Sequence, residues 1–242
     1  MSERSAGWSG ILCIVVVAIA LFLPGYPLPS ATDSGRVVGA FLDAHRGAWL
    51  LGAWLTFPET VFFSWFVLGL RKYLGRAFST NEGLMLYMLA GAFGAVAAGL
   101  VGTTLQILLG IVPASQLGPA PIKAFYVGWL ACVPVVFMSL AAMLFAAAHG
   151  MRRRQLMNGW LAGIGYVAAL LCVLGTSTVF FSSGPMALNG PVAYIAFFAF
   201  ALWTVLASLH LIFGLHAAER FKKACAVVFK RVRHSRLTFW QR

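Results

Sequence analysis

Residues 47 to 70 read GAWLLGAWLTFPETVFFSWFVLGL, an apolar run whose sole charged residue is Glu59. A bilayer core about 30 Å thick is crossed by roughly 20 helical residues. In lipid every backbone N–H and C=O must be paired within the segment, so a run of this length without strand-like alternation reads as a membrane-crossing helix. Pro58 and Glu59 fall near its middle, where a proline removes a helix hydrogen bond and a carboxylic acid is costly.

Five further runs share this character. With the first, they extend from Trp8 to Tyr26, Gly47 to Leu70, Leu84 to Val112, Ala124 to His149, Met157 to Phe181 and Val192 to Leu215. The chain of 242 residues is 61% hydrophobic and 10% charged, against about 25% charged in soluble domains. The expected fold class is therefore all-α: a polytopic membrane protein with a six-transmembrane-helix bundle as its one domain over residues 1–215. Ile11 to Leu23 also has about the length of a signal-peptide core. Glu3 beside Arg4, and a proline at the best cleavage candidate, Leu28-Pro29-Ser30-Ala31, favour retention of this span.

Lys and Arg number 18 against 6 Asp and Glu. An excess of that kind can mark a nucleic-acid binder, but its distribution points to a membrane. Arg4, then Arg71, Lys72 and Arg76, then Arg152, Arg153 and Arg154, then the basic residues from Arg220 to Arg242 all fall on one side of six spans. Arg36, Arg46 and Lys123 fall on the other. By the positive-inside rule both termini are cytoplasmic. The tail, 216–242, places Phe221, Ala224 or Cys225, Val228 and Val232 at helical spacing among lysines and arginines. It reads as a topology anchor along the anionic inner leaflet, making membrane lipid the expected partner and excluding nucleic acid.

Between the first two spans, PGYPLPS is too rich in proline for a helix, whereas GRVVGAFLDAHRG suits a short interfacial helix leading into the second. Gly91, Ala95 and Gly99 recur every fourth residue, as do Gly159 and Gly163. Such spacing lets helices approach closely, and the expected use is packing inside the bundle, with a homo-oligomer or partner contact as the alternative.

The stretch FLDAHRGAWLLGAWLTFPETVFFSWFVLGLRKYLGRAFSTNEG, residues 41–83, carries Asp43 and His45 before the second span, Trp65 and Phe66 near its end, Leu70-Arg71-Lys72-Tyr73-Leu74, and Glu82 with Gly83 opening the third. In these features it resembles small multi-spanning bacterial membrane proteins without an assigned function. The resemblance implies a bacterial inner (cytoplasmic) membrane and no particular activity; the Pro58-Glu59 pair is not part of it.

The candidate site is built on Glu59. An acid at mid-span is either neutral or faces a polar cavity. Pro58 is expected to kink the helix and free the carbonyl near Trp54. Thr103, Thr104 and Gln106 of the third span and Thr176, Ser177 and Thr178 of the fifth lie at compatible depths, with Cys132 and Pro134 in the fourth. Glu59, Pro58, Thr103, Gln106, Thr176 and Ser177 are the expected ligand-binding or proton-coupling residues. The competing reading makes Glu59 a neutral interhelical hydrogen-bonder beside a structural kink.

Catalytic and metal residues are not expected. There is no HExxH, no G-x-S-x-G and no G-x-x-x-x-G-K-[ST]. The four cysteines make no CxxC and read as packing residues. No cofactor is expected: a haem on His149 and His210 is conceivable, but interfacial imidazoles near helix ends are the simpler reading. Asp43, His45 and Arg46 read as a helix-start charge cluster rather than an anion site. The leading expectation is a non-enzymatic membrane protein that binds or passes a small apolar or amphipathic molecule around Glu59. A non-catalytic subunit or assembly factor, and a haem or quinone redox protein, are the alternatives.

Overall fold

The computed structural model describes residues 2–23, 25, 28–75, 82–154, 159–181, 184, 186–187 and 190–214. The expectations placed on the tail, 216–242, fall outside these residues. The described chain is helical, and six of its helices are long and apolar enough to cross a membrane.

Helix α1, Glu3–Phe22, starts where the Ser2 hydroxyl accepts from the Ser5 N–H at 3.1 Å, an N-cap followed by the acidic Glu3 in the first turn. Helix α2, Gly35–Gly75, is continuous except at His45, whose φ of −117° and ψ of 17° set off the short segment 35–44 from the long one after it. This is the short lead-in helix expected from GRVVGAFLDAHRG. At Pro58 the backbone angles stay helical, and the one residue of α2 outside the helical region is His45.

Helix α3 is Glu82–Ile111 and α4 a single turn, Ala114–Leu117. Gly118 then adopts φ of +76°, a conformation that L side chains rarely take, and Pro119 opens α5, Pro119–Arg154. Helix α6, Gly159–Thr176, tightens into a 3₁₀ turn at Ser177–Phe180. Helix α7, Pro191–Leu209, begins with proline at its first position and loosens into a π turn at His210–Gly214.

The long helices form a ring in chain order. Each packs on the next, α4 being bypassed, and α7 returns to close against α1; α2 also reaches across to α5. Helices α5 and α7 bury half of their apolar stretches, whereas α1, α2 and α3 bury 28%. The rest faces outward as large apolar side chains, among them Trp8, Trp54, Val61, Leu86, Val101, Trp160 and Phe213. Helices that are apolar on every face, in a chain too small to bury them all, suit a hydrocarbon surround.

Glycine marks the close contacts. A Cβ on Gly91 would come 2.6 Å from the Met143 N and 2.7 Å from the Ser139 O of α5. On Gly7 and Gly10 of α1 it would strike Ser208 and Ile212 of the α7 end and Phe66 of α2. The expected packing role thus fits Gly91. Gly99, Gly159 and Gly163 depart from it: nothing lies within 4 Å of a Cβ at any of them, and α6 makes its close approaches at Gly165, against Trp203 and Ala148, and at Gly175, against Phe137 and Ala196.

Candidate functional site

Five helices of the ring, α1, α2, α3, α5 and α7, together with Leu28, line a partly open cavity of about 320 Å³, within the lower range of small-molecule sites, roughly 300–1,000 Å³. Helix α2 contributes Thr56, Glu59, Thr60 and Phe63, which the i, i+3, i+4, i+7 spacing sets on one face. Helix α3 contributes residues from Ala95 to Gln106, and α5 residues from Trp129 to Leu140. At 1.5 Å per residue, the wall on each of these two helices is about 16 Å long. Helix α1 adds Cys13, Val17 and Leu21, and α7 adds Ala193, Tyr194, Phe197 and Phe200.

Glu59 supplies the one carboxylate of this lining, and no lysine, arginine or histidine shares it. It is half-buried, and among the described residues no hydrogen bond or ion pair reaches its carboxyl group. Cys13 lies close enough across the α1–α2 contact to interact with it electrostatically. The reading of Glu59 as a hydrogen-bonder to a neighbouring helix therefore has no partner among the described residues.

Two other expected residues line the cavity in different states. The Thr103 hydroxyl donates to the Gly99 carbonyl of its own helix at 2.9 Å. The Gln106 amide donates to the Trp49 carbonyl at 3.1 Å, and the Trp49 indole N–H donates back to the Gln106 carbonyl at 2.9 Å. Gln106 thus clamps α3 to α2 at the end of the cavity nearest residues 28–46. Around this clamp Trp49, Tyr126 and Trp129 pack ring on ring, with centroids 4.9 to 6.3 Å apart.

Pro58 precedes Glu59 but does not itself line the cavity. Thr176 and Ser177 lie elsewhere: their hydroxyls donate to the Val173 and Leu174 carbonyls, each at 2.6 Å, finishing the last turn of α6. The reason is the ring order. Helix α6 sits against α5 and α7, on the far side from α2, and none of its residues lines the cavity. Residues that the sequence reading did not single out include Thr56, Thr60 and the aromatic side chains of α7. The helical spacing of Thr56, Thr60 and Phe63 around Glu59 was an available signal. The contribution of Cys13 was not, because it depends on which helices are neighbours.

The charged groups at the end nearest residues 28–46 serve the backbone. Arg46 donates to the Gly110 carbonyl at 2.7 Å and to the Ile111 carbonyl, capping the last turn of α3. Asp43 accepts from the Ala114 N–H at 3.2 Å, and His45 Nδ1 meets the Phe41 carbonyl at 3.0 Å. Lys123 donates to the Ala31 and Asp33 carbonyls, and the Tyr126 hydroxyl donates to the Pro29 carbonyl at 2.7 Å. These bonds fasten residues 28–33, and with them Leu28, onto α5.

The imidazoles considered for haem each meet a tyrosine, His149 with Tyr166 at 3.1 Å and His210 with Tyr73 at 3.3 Å. Among the described residues no three His, Cys, Asp or Glu side chains gather as a metal site. The arrangement offers a shaped apolar chamber with a single acid. Comparison of the chain with protein-family models, with curated proteins and with solved structures gave no match.

Proposed function

We propose that this chain is an integral membrane protein with six crossing helices and both termini in the cytoplasm, which binds or passes a small apolar or amphipathic molecule through the chamber around Glu59. The observation that carries this reading is the chamber itself, mostly apolar and provided with one carboxyl group that has no partner among the described residues. Interiors are otherwise packed to crystal-like density, and an intramembrane acid is by default a functional group.

The protonation state of Glu59 and the occupancy of the chamber are linked, because each changes the cost of the other. The bacterial inner membrane, expected from charge asymmetry and from the resemblance over residues 41–83, is the proposed location, with lipid as the standing partner. The basic tail holds the inner leaflet.

The test is mass spectrometry of the small molecules that remain with the protein in mild detergent, with Glu59→Gln beside the natural chain. A defined molecule present in the natural chain and depleted in the variant is the expected result. Bulk lipid alone, equal in both samples, would contradict the proposal.

A further inference from the structure

We infer that the chamber selects a small organic cation, a hydrophobic amine or quaternary ammonium ion, with Glu59 as its counter-ion; this rests on the binding role just proposed. Three observations converge on that chemistry. The lining has one group able to carry charge at neutral pH, a carboxylate, and no basic side chain to neutralise it. Arg46 and Lys123, at the end of the chamber nearest residues 28–46, are bonded to backbone carbonyls outside the lining. A carboxylate so placed repels anions and leaves its countercharge to be supplied by the occupant.

The walls specify the kind of cation. Phe63, Trp129, Phe137, Tyr194, Phe197 and Phe200 all border the chamber, and aromatic faces attract ammonium groups, most strongly when water is excluded. An inorganic cation is poorly served by comparison. Calcium takes about 6–8 oxygen ligands, whereas the side-chain oxygens of this lining are those of Glu59, Thr56, Thr60, Thr103, Gln106 and Tyr194, strung over three of the five helices. The Thr103 hydroxyl already donates within its helix. An organic cation carries its own apolar shell, which fits the alkyl and aromatic walls and lowers the cost of bringing charge to mid-span.

Binding then exchanges one cation for another. The neutral carboxyl of Glu59 releases its proton to water, the carboxylate pairs with the arriving ammonium, and the net charge of the chamber is unchanged. The other titratable groups in the lining are Cys13 of α1, Cys132 of α5 and Tyr194 of α7, with none from α3 and no second one from α2. Affinity for the cation is accordingly expected to rise with pH as Glu59 loses its proton, while affinity for a neutral molecule of the same shape stays level.

The probes are benzyltrimethylammonium and neopentylbenzene, in which carbon replaces the charged nitrogen. Their binding to the full chain in detergent is measured by calorimetry across a pH series. At alkaline pH the cation is expected to bind about tenfold or more tightly than its neutral counterpart, a difference of the size that aromatic and charge pairing supply. Binding should release up to one proton in the acid range, and Glu59→Gln should abolish the preference while still binding neopentylbenzene. Equal affinities in the natural chain would overturn the cation assignment and leave the binding chamber standing; binding of neither would overturn both. Should Glu59→Gln fail to fold, the pH series on the natural chain decides, since a cation affinity independent of pH contradicts the exchange.

Discussion

Glu59 and Gln106 are polar side chains of apolar helices that line the same cavity, and the structure uses them in opposite ways. Gln106 holds Trp49 through a reciprocal pair of bonds between α2 and α3, so its role in the chamber is to fix a wall. Gln106→Leu removes the side-chain bond to the Trp49 carbonyl and keeps the indole bond to the Gln106 backbone. The expected loss is about 1 kcal/mol of stability, at the upper side of interhelical hydrogen bonds in membranes. Reversible unfolding in mixed micelles measures it, and no loss would show that the clamp is redundant. At this scale the sequence was informative for the acid but not for its surroundings. Glu59, Thr103 and Gln106 could be picked out as polar residues in apolar runs, and they do line one cavity. Thr176 and Ser177 met the same criterion, but hydroxyls can satisfy themselves on their own helix, as these two do.

The helices show a similar limit. Hydropathy located all six long helices because it depends on composition along the chain, and helix signals in GRVVGAFLDAHRG, residues 35–47, marked the short lead-in that the structure ends at His45. The spacing of small residues did not reveal which face meets a neighbour. Gly91 of α3 lies against the α5 backbone, whereas Gly163 of α6 faces outward with open space around it. Gly91→Leu is therefore expected to force α3 and α5 apart at a cost of about 1–3 kcal/mol or more, and Gly163→Leu to be tolerated, as read by thermal unfolding of both variants in the same detergent. Equal destabilisation would contradict this assignment of faces. The proline in α2 teaches a related lesson. A missing N–H does not have to break a helix whose neighbours hold it on both sides, and α2 passes through Pro58 with regular backbone angles while turning at His45.

On the scale of the molecule, the chamber exists because α7 returns to α1 and closes the ring around α2, α3 and α5. This closure joins residues as distant in sequence as Cys13 and Phe200, and no periodicity within one helix encodes it. It also explains why α6, flanked by α5 and α7, contributes nothing to the lining. The account stands on the chamber being a binding site rather than a packing defect. Gly99 offers the most direct test, because it lines the chamber and a Cβ there meets nothing within 4 Å. Gly99→Leu should fill the space without displacing a neighbour. The measurement is native mass spectrometry of this variant beside the natural chain. If the chamber is a binding site, a discrete small-molecule adduct accompanies the natural chain and is absent from the folded variant, with annular lipid unchanged. The same adducts on both, or none on either, would contradict it.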